Sequence, residues 1–180
     1  RTSRQIISRM ESVGGDLNAF TGKEETVYYC TCQREHFARA MDLLFDVVFN
    51  STYPQEEMNK EVEVVIDEIE SYKDSPSELI YDDFEAMLFQ GHPLGRNILG
   101  DAERLRQFQT EDVLNYIHRL YTADRAVLFV YGNVDAKEVK RRIPLNLPSA
   151  PSSQVTTIQK SLPKREAQRK VVNKDTHQAH

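Results

Sequence analysis

The sequence predicts an α+β fold in which helices pack against an antiparallel sheet. Three observations lead to this class. Several segments repeat apolar residues at the spacing of an amphipathic helix, one run rich in β-branched and aromatic residues follows a Gly-Lys turn, and Ser, Thr, Pro and Gly mark the element boundaries. The 180 residues, 39% hydrophobic and 28% charged, are typical of one globular domain with part of a second.

The first fifty residues predict a helix, a β-hairpin and a second helix. Residues 2–12 (TSRQIISRMES) place Ile and Met on one face, begin at a Thr/Ser cap and end before Gly14-Gly15. Residues 16–32 predict two strands joined by the turn at Gly22-Lys23, because the second half is rich in aromatic and β-branched residues. Residues 35–49 are strongly apolar and predict a helix.

The rest of the chain predicts four further helices and one buried strand. Pro54 occupies the first position of the helix that contains residues 60–74. A second helix runs from the capping box Ser75–Glu78 to about Phe89, and a loop follows over residues 92–100. A third helix is capped by Thr110 and ends near Tyr121. A buried strand within residues 125–134 and a short helix over residues 135–143 complete this part of the chain.

From Pro144 onward the composition changes from periodic to rich in Pro and Ser. We therefore expect residues 1–143 to form part of one domain, residues 144–165 to be an interdomain linker and residues 166–180 to begin a second domain. A fold that starts inside a helix and stops soon after a linker is expected to be a piece of a larger protein, truncated at both ends.

Charge and hydropathy exclude two classes of partner. The formal net charge of −5 argues against nucleic acid as the main partner. No apolar run approaches the ~20 residues that a membrane-spanning helix needs. Neither nucleic acid nor a membrane is therefore expected as a partner.

The two cysteines, Cys30 and Cys32, lie two residues apart within the predicted second strand. A disulfide between such residues would be strained, so two free thiols are expected, which favours a reducing compartment. A cytoplasmic location follows, with the periplasm left open. A metal site of the CxC type is one interpretation, and two small buried hydrophobic residues is the favoured one.

The helix KEVEVVIDEIESYKD (residues 60–74) places two acids on its apolar side. Its apolar stripe consists of Met58, Val62, Val65, Ile69 and Tyr72, and most of its acids fall opposite. Glu61 and Glu68 fall within the apolar arc, two helical turns and roughly 10 Å apart on the same side. Pairing with a Lys or Arg of a neighbouring helix is one interpretation, and a functional role is the other.

Four stretches together resemble one family. ESVGGDLNAFTGKEETVYY (11–29), KEVEVVIDEIESYKDSP (60–76), HPLGRNILG (92–100) and YTADRAVLFVYGNVD (121–135) are similar, in order and spacing, to the M16 zinc peptidases. This family comprises pitrilysin, insulin-degrading enzyme and the mitochondrial processing peptidases. The match covers residues 1 to about 143 and is nearest to the small bacterial members. The resemblance implies an antiparallel sheet packed with helices, as in the N-terminal domain of these metallohydrolases.

The resemblance also implies a Zn2+ site. In the family, two histidines of an inverted HxxEH motif and a glutamate from a later helix hold the zinc, and Glu68 matches that glutamate. Glu61 matches an acidic position that supports the site, and such an acid can orient a ligating His. The zinc carries a water that attacks the peptide bond. None of the five histidines forms an HxxEH motif, which is expected to lie upstream of Arg1.

The strand DLNAFT resembles the substrate-binding edge strand of the family, so Asn18, Ala19 and Phe20 are expected to lie beside a bound peptide. The alternative is an ordinary hairpin on which Asn18 is only a polar surface residue and Phe20 belongs to the core.

The predicted function is therefore that of a zinc metalloendopeptidase, of which these residues alone are expected to be inactive. The alternative within the family is a non-catalytic subunit that acts as a scaffold or peptide-binding partner. The resemblance implies peptide or unfolded polypeptide substrates, a second homologous domain in the same chain, and a homodimer as one form of assembly.

Overall fold

The structure is a computed structural model that describes residues 2–73, 75–149 and 167–172, without the side chain of Glu78. The helices are α1 (Ser3–Glu11), α2 (Phe37–Phe49), α3 (Gln55–Lys73), α4 (Pro76–Leu88), α5 (Ala102–Leu105), α6 (Thr110–Leu120) and α7 (Ala136–Arg142). The strands are β1 (Asp16–Thr21) and β2 (Thr26–Thr31), and short 3-10 turns cover Arg34–His36, Pro93–Gly95 and Ala123–Arg125.

The chain divides into two compact units. Of the described residues, the first contains 2–55 and 109–149, and the second contains 56–73, 75–108 and 167–172. None of the described helices has both the length and the hydropathy that crossing a bilayer requires.

The first unit begins with the predicted helix, hairpin and helix, which are confirmed. Thr2 caps α1 through a capping box, because its hydroxyl accepts from the Gln5 N–H at 3.3 Å and the Gln5 side chain accepts from the Thr2 N–H at 3.0 Å. Strands β1 and β2 pair antiparallel, with Asn18 opposite Tyr29 and Phe20 opposite Val27.

The core of the first unit lies between this hairpin and the helices α1 and α2. Met10, Ala40 and Leu43 are buried there, and Leu43 and Met10 have no exposed surface. The cysteines and several half-buried apolar residues surround them: Ile6, Val13, Leu17, Cys30, Cys32 and Val47. Apolar side chains that α1, α2 and the hairpin each present on one face are therefore removed from water together.

The prediction of a buried strand within residues 125–134 is wrong for the described residues. The segment is irregular, and Val127, Phe129 and Tyr131 are 94%, 83% and 94% exposed. Among the described residues the only sheet is the β1–β2 hairpin, so nothing pairs with this segment. A β-branched and aromatic run fits a sheet, but the run becomes a strand only when another strand accepts its backbone hydrogen bonds.

The predicted cap of α6 is wrong, and the predicted cap of α4 is confirmed in position. Gln109, not Thr110, is the N-cap of α6, and its N–H donates to Asp112 Oδ2 at 3.0 Å. Ser75 is the N-cap of α4, but its side chain makes no described cap hydrogen bond and its hydroxyl lies 3.4 Å from that of Ser77. The positions of both helices and the N-cap Ser75 were predicted correctly, and the N-cap of α6 was not.

Thr110 instead holds the start of α6 against the chain before α3. Its hydroxyl donates to the Tyr53 carbonyl at 2.7 Å, and its N–H donates to Gln55 Oε1 at 2.7 Å. Tyr53 has a positive φ of 47°, a backbone conformation that a bulky residue rarely adopts. The Thr110 hydroxyl therefore anchors the carbonyl of a strained residue.

We expect Thr110→Val to lower the free energy of unfolding by about 1–2 kcal/mol, because the Tyr53 carbonyl loses a half-buried donor. Chemical denaturation measures this change. Thr26→Val is the matched control, since Thr26 is exposed on β2, and it should change stability by less than about 0.5 kcal/mol. Equal effects of the two substitutions would contradict the anchoring role.

The second unit is built on α3 and α4. Ile66 and Ile69 of α3 are buried, and Ile69 belongs to the predicted stripe. The other stripe residues are half-buried: Met58, Val62, Val65 and Tyr72. The predicted stripe is therefore confirmed, and Ile66 is a further buried residue beside it.

Candidate functional site

Four of the seven acids of α3 lie beside a basic side chain. Lys60 Nζ lies 3.1 Å from Glu56 and 3.0 Å from Glu57. Arg106 donates through Nε and Nη2 to both carboxylate oxygens of Glu63, at 3.2 and 3.3 Å. In the last turn, Lys73 pairs with Glu70 at 2.7 Å. These pairs are exposed and contribute little to stability, but they show which acids have a basic partner nearby.

Glu61 and Glu68 differ from these acids. Among the described residues neither carboxylate has an ion-pair or hydrogen-bond partner, and both side chains are exposed. They lie two turns apart on one side of α3, with Val64 between them at 59% exposure. In the described part of the chain, no Lys or Arg of a neighbouring helix pairs with Glu68. Asp67 is likewise exposed and without a described partner.

The side of α3 that carries these two acids is open to solvent rather than buried. We expected Glu61 and Glu68 to lie within the apolar arc, and this burial is not observed. The helical wheel placed them correctly beside Val64, but whether a face is covered depends on what packs against it. On this side of α3, Val64 is an exposed apolar residue between two carboxylates that have no described partner.

The described residues can supply one ligand of a zinc site, but not the complete ligand set. Across residues 2–73, 75–149 and 167–172 no three His, Cys, Asp or Glu side chains lie close enough together to hold a metal ion. A zinc site in a hydrolase uses three protein ligands, commonly two His and one carboxylate. Glu68 has the ligand chemistry for the carboxylate position, and its oxygens are not engaged by another described residue.

Each of the three histidines in the described region lies in its own local environment. His92 is the N-cap of a 3-10 turn, where Nδ1 accepts from the Leu94 N–H at 3.2 Å. His36 Nε2 lies 3.3 Å from Glu35. His118 lies in the last turn of α6. His177 and His180 lie outside the described residues.

The predicted substrate strand β1 has one edge paired with β2 and the other unpaired among the described residues. Asn18, Ala19 and Phe20 are all exposed. The Ala19 N–H donates to Asn18 Oδ1 at 2.8 Å. Phe20 is 55% exposed and contacts Tyr29, with ring centroids 6.3 Å apart, so it is not a core residue.

The first unit also contains an aromatic groove that was not predicted from the sequence. Its cavity of about 720 Å3 is lined by the hairpin turn, α2, the end of α6 and residues 125–129. Tyr28 Oη lies 3.4 Å from Tyr121 Oη, and burial, followed by the hydrogen bond to Tyr121, raises the pKa of Tyr28 well above its usual range. Thr122 is buried beside it, with a hydroxyl that has no described partner. The groove joins segments far apart in the sequence, so no local pattern indicated it.

Comparison with known proteins identifies the family. The model of the family described as insulinase (peptidase family M16) matches residues 1–102. The chain belongs to peptidase family M16. A second model, described as the M16 inactive domain, matches residues 107–180. The resemblance drawn from the four sequence stretches is therefore confirmed.

Curated M16 relatives are similar over most of the chain. A Bacillus subtilis protein described as the uncharacterized zinc protease YmxG is 38% identical over 140 residues, which cover 78% of this chain and 34% of the relative. An uncharacterized zinc protease of Rickettsia felis is 37% identical over 139 residues, 77% of this chain and 34% of the relative. A probable beta subunit of the mitochondrial-processing peptidase of Arabidopsis thaliana is 35% identical over 159 residues, 88% of this chain and 30% of the relative. The chain spans about a third of the length of these M16 relatives.

Solved M16-like structures share the fold. An M16-like peptidase from Alicyclobacillus acidocaldarius superposes with a TM-score of 0.71 at 24% identity, covering 79% of this chain and 33% of that one. A protease from Helicobacter pylori gives a TM-score of 0.72 at 20% identity, covering 86% of this chain and 37% of that one. The predicted α+β class is therefore confirmed, because the described residues are rich in helices and contain a two-stranded antiparallel sheet.

Proposed function

We propose that the full-length protein is a zinc metalloendopeptidase in which Glu68 is the carboxylate ligand of the zinc. One observation carries the proposal. Glu68 is exposed and lacks a described partner on a helix whose other acids are largely paired, and it stands at the position that the M16 resemblance assigns to the third ligand. The relatives described as zinc proteases support the metal.

Residues outside this chain supply the two histidine ligands. These 180 residues contain no HxxEH sequence, and they span about a third of the length of the M16 relatives. Glu61, two turns before Glu68 on the same face, supports the site by orienting one of those histidines rather than by binding the metal. These residues alone are expected to lack peptidase activity, because Glu68 is only one of three ligands.

Zinc, when bound, supplies an acidic water for hydrolysis of the peptide bond. The contribution of this chain is to hold one carboxylate in place and to bind substrate. The unpaired edge of β1 offers backbone donors and acceptors to an extended peptide, in the manner of an added strand. Asn18 Oδ1 would then release the Ala19 N–H to the peptide, and Phe20 would contact an apolar substrate side chain.

Peptides or unfolded polypeptides are the proposed substrates, because an added strand must be extended before it can bind. We further propose the domain division made from the composition, with residues 1–143 in the peptidase domain, residues 144–165 as linker and residues 166–180 in a second homologous domain. That domain is the proposed partner within the chain. A homodimer and a cytoplasmic location stay predictions.

Chelation tests the proposed activity. We expect the full-length protein to cleave an unfolded polypeptide, to lose at least about 90% of that activity in 1,10-phenanthroline, and to regain it when zinc is added. The isomer 1,7-phenanthroline, which does not chelate, is the control and should leave the rate unchanged. Hydrolysis that persists after complete metal removal would contradict the proposal. A full-length protein with neither zinc nor hydrolysis would instead be the non-catalytic subunit.

A further inference from the structure

The aromatic groove of the first unit is lined by a helix and by extended chain. Helix α2 contributes one side of its surface, and the hairpin turn with β2, the end of α6 and residues 125–129 contribute the remainder. All of these elements belong to the first unit. A helix with extended segments beside it has the parts of a helix packed on a sheet.

Helix α2 is apolar on two sides, and only one of them is fully buried among the described residues. The buried side consists of Phe37, Ala40, Met41 and Leu43. The groove side is half-buried and consists of Leu44, Phe45, Val48 and Phe49. A helix that is apolar nearly all round is normally packed on more than one side. An apolar strand face laid in the groove would remove the second side of α2 from water.

Residues 127–131 (VLFVY) have the composition and the exposure of a strand without a partner. Val127, Phe129 and Tyr131 alternate along the chain and are 94%, 83% and 94% exposed. Among the described residues, the backbone N–H and C=O groups of residues 127–131 take part in no hydrogen bond. An alternating apolar run with free backbone donors and acceptors pairs readily with another extended segment.

Strand β2 lines the same groove and has one edge without a described partner. It pairs with β1 and with no other described strand. Thr26, Val27 and Tyr28 of β2 line the groove, whereas β1 contributes only its last residue, Thr21. The groove therefore lies on the β2 side of the hairpin, where backbone donors and acceptors are left for a further strand.

We propose that the aromatic groove accepts a β-strand from the part of the full-length protein that precedes Arg1. The strand pairs with β2 on one side and with residues 127–131 on the other, and one of its faces packs on α2. This one occupant covers the half-buried side of α2, the free edge of β2 and the exposed apolar run, each of which lacks a partner among the described residues.

The occupant is assigned to the residues before Arg1 because of where the chain enters the first unit. The inference rests on the proposed function, which places the HxxEH residues in that part of the protein. Helix α1 contacts β1 and α2, so the chain that leads into α1 starts beside elements of the groove. The 180 residues span about a third of the length of the M16 relatives. A tethered segment has an effective concentration in roughly the mM range, which favours it over a second copy of the protein.

Hydrogen exchange in the full-length protein tests the pairing. We expect the amides of residues 127–131 to exchange at least about 100-fold more slowly there than in the 180-residue chain, because the N–H groups of a paired strand exchange only when the sheet opens. The amides of α2 are the internal reference, since they are hydrogen-bonded within a helix. Free exchange of residues 127–131 in a full-length protein whose α2 is protected would overturn the proposal.

A photo-crosslink identifies the occupant. Phe129→p-benzoylphenylalanine in the full-length protein should crosslink to a peptide from before Arg1, because side chains on paired strands lie within about 5 Å of each other. The same amino acid in place of Leu145, which is exposed in the same unit but does not line the groove, should not crosslink to that peptide. Crosslinks from position 129 to residues after His180, to a second copy, or only within the 180 residues would overturn the proposal.

Zinc content, measured on the same full-length protein, separates the failure of this inference from the failure of the proposed function. A protein that holds one zinc but exchanges residues 127–131 freely refutes the strand and leaves the zinc site standing. A protein without zinc whose position 129 crosslinks to the segment before Arg1 supports the strand and refutes the zinc site.

Discussion

Glu68→Gln in the full-length protein is expected to remove bound zinc and to lower the rate of peptide hydrolysis by at least about 100-fold. The amide is uncharged and a much weaker zinc ligand than a carboxylate, and loss of even a residue that only orients a ligand costs about 10–100-fold in metal affinity or activity. Metal analysis and the hydrolysis rate of the same preparation measure the two effects together.

Asp67→Asn is the matched control for this substitution. Asp67 precedes Glu68 on α3, is exposed, and has no described partner, so the change removes the same charge from the same turn of the helix. It should leave zinc content and rate within about twofold of the wild type. If Glu68→Gln behaves like Asp67→Asn, Glu68 is not a ligand.

Leu43→Ala is expected to be the most destabilising single substitution in the first unit, at about 3 kcal/mol. Leu43 is completely buried between α1, α2 and the hairpin, so truncation removes apolar contact and leaves a cavity. For a chain of this size, the melting temperature should fall by roughly 6–12 °C. Thermal unfolding followed by circular dichroism measures the change.

Leu145→Ala provides the comparison, because the same chemical change is made at a residue that is 98% exposed in the same unit. We expect a change below about 0.5 kcal/mol. A Leu43→Ala protein that melts at the wild-type temperature would show that the described core is not the one that holds the hairpin to the helices.

The elements that the sequence predicted correctly are those determined by neighbours along the chain. Helices α1 and α2 and the hairpin between them follow from apolar spacing, caps and a turn, all within a few residues. Residues 125–134 have an equally clear strand composition, but a strand also needs a distant partner. No local pattern reports whether that partner is present, and among the described residues it is not.

The candidate site likewise has a part that could be predicted from the sequence and a part that could not. The spacing of Glu61 and Glu68 was enough to place both on one side of α3, and the family resemblance supplied their proposed roles. Their exposure could not be predicted, because it depends on what packs against the helix. The aromatic groove around Tyr28 and Tyr121 was missed for the same reason, since its walls come together only in the folded unit.

Zinc stoichiometry of the full-length protein tests the central claim most directly. Elemental analysis of protein purified without added metal or chelator should find one zinc per chain in the wild type and almost none in Glu68→Gln. A wild-type protein without zinc, or a Glu68→Gln protein that retains one zinc per chain, would contradict the assignment of Glu68 as a zinc ligand.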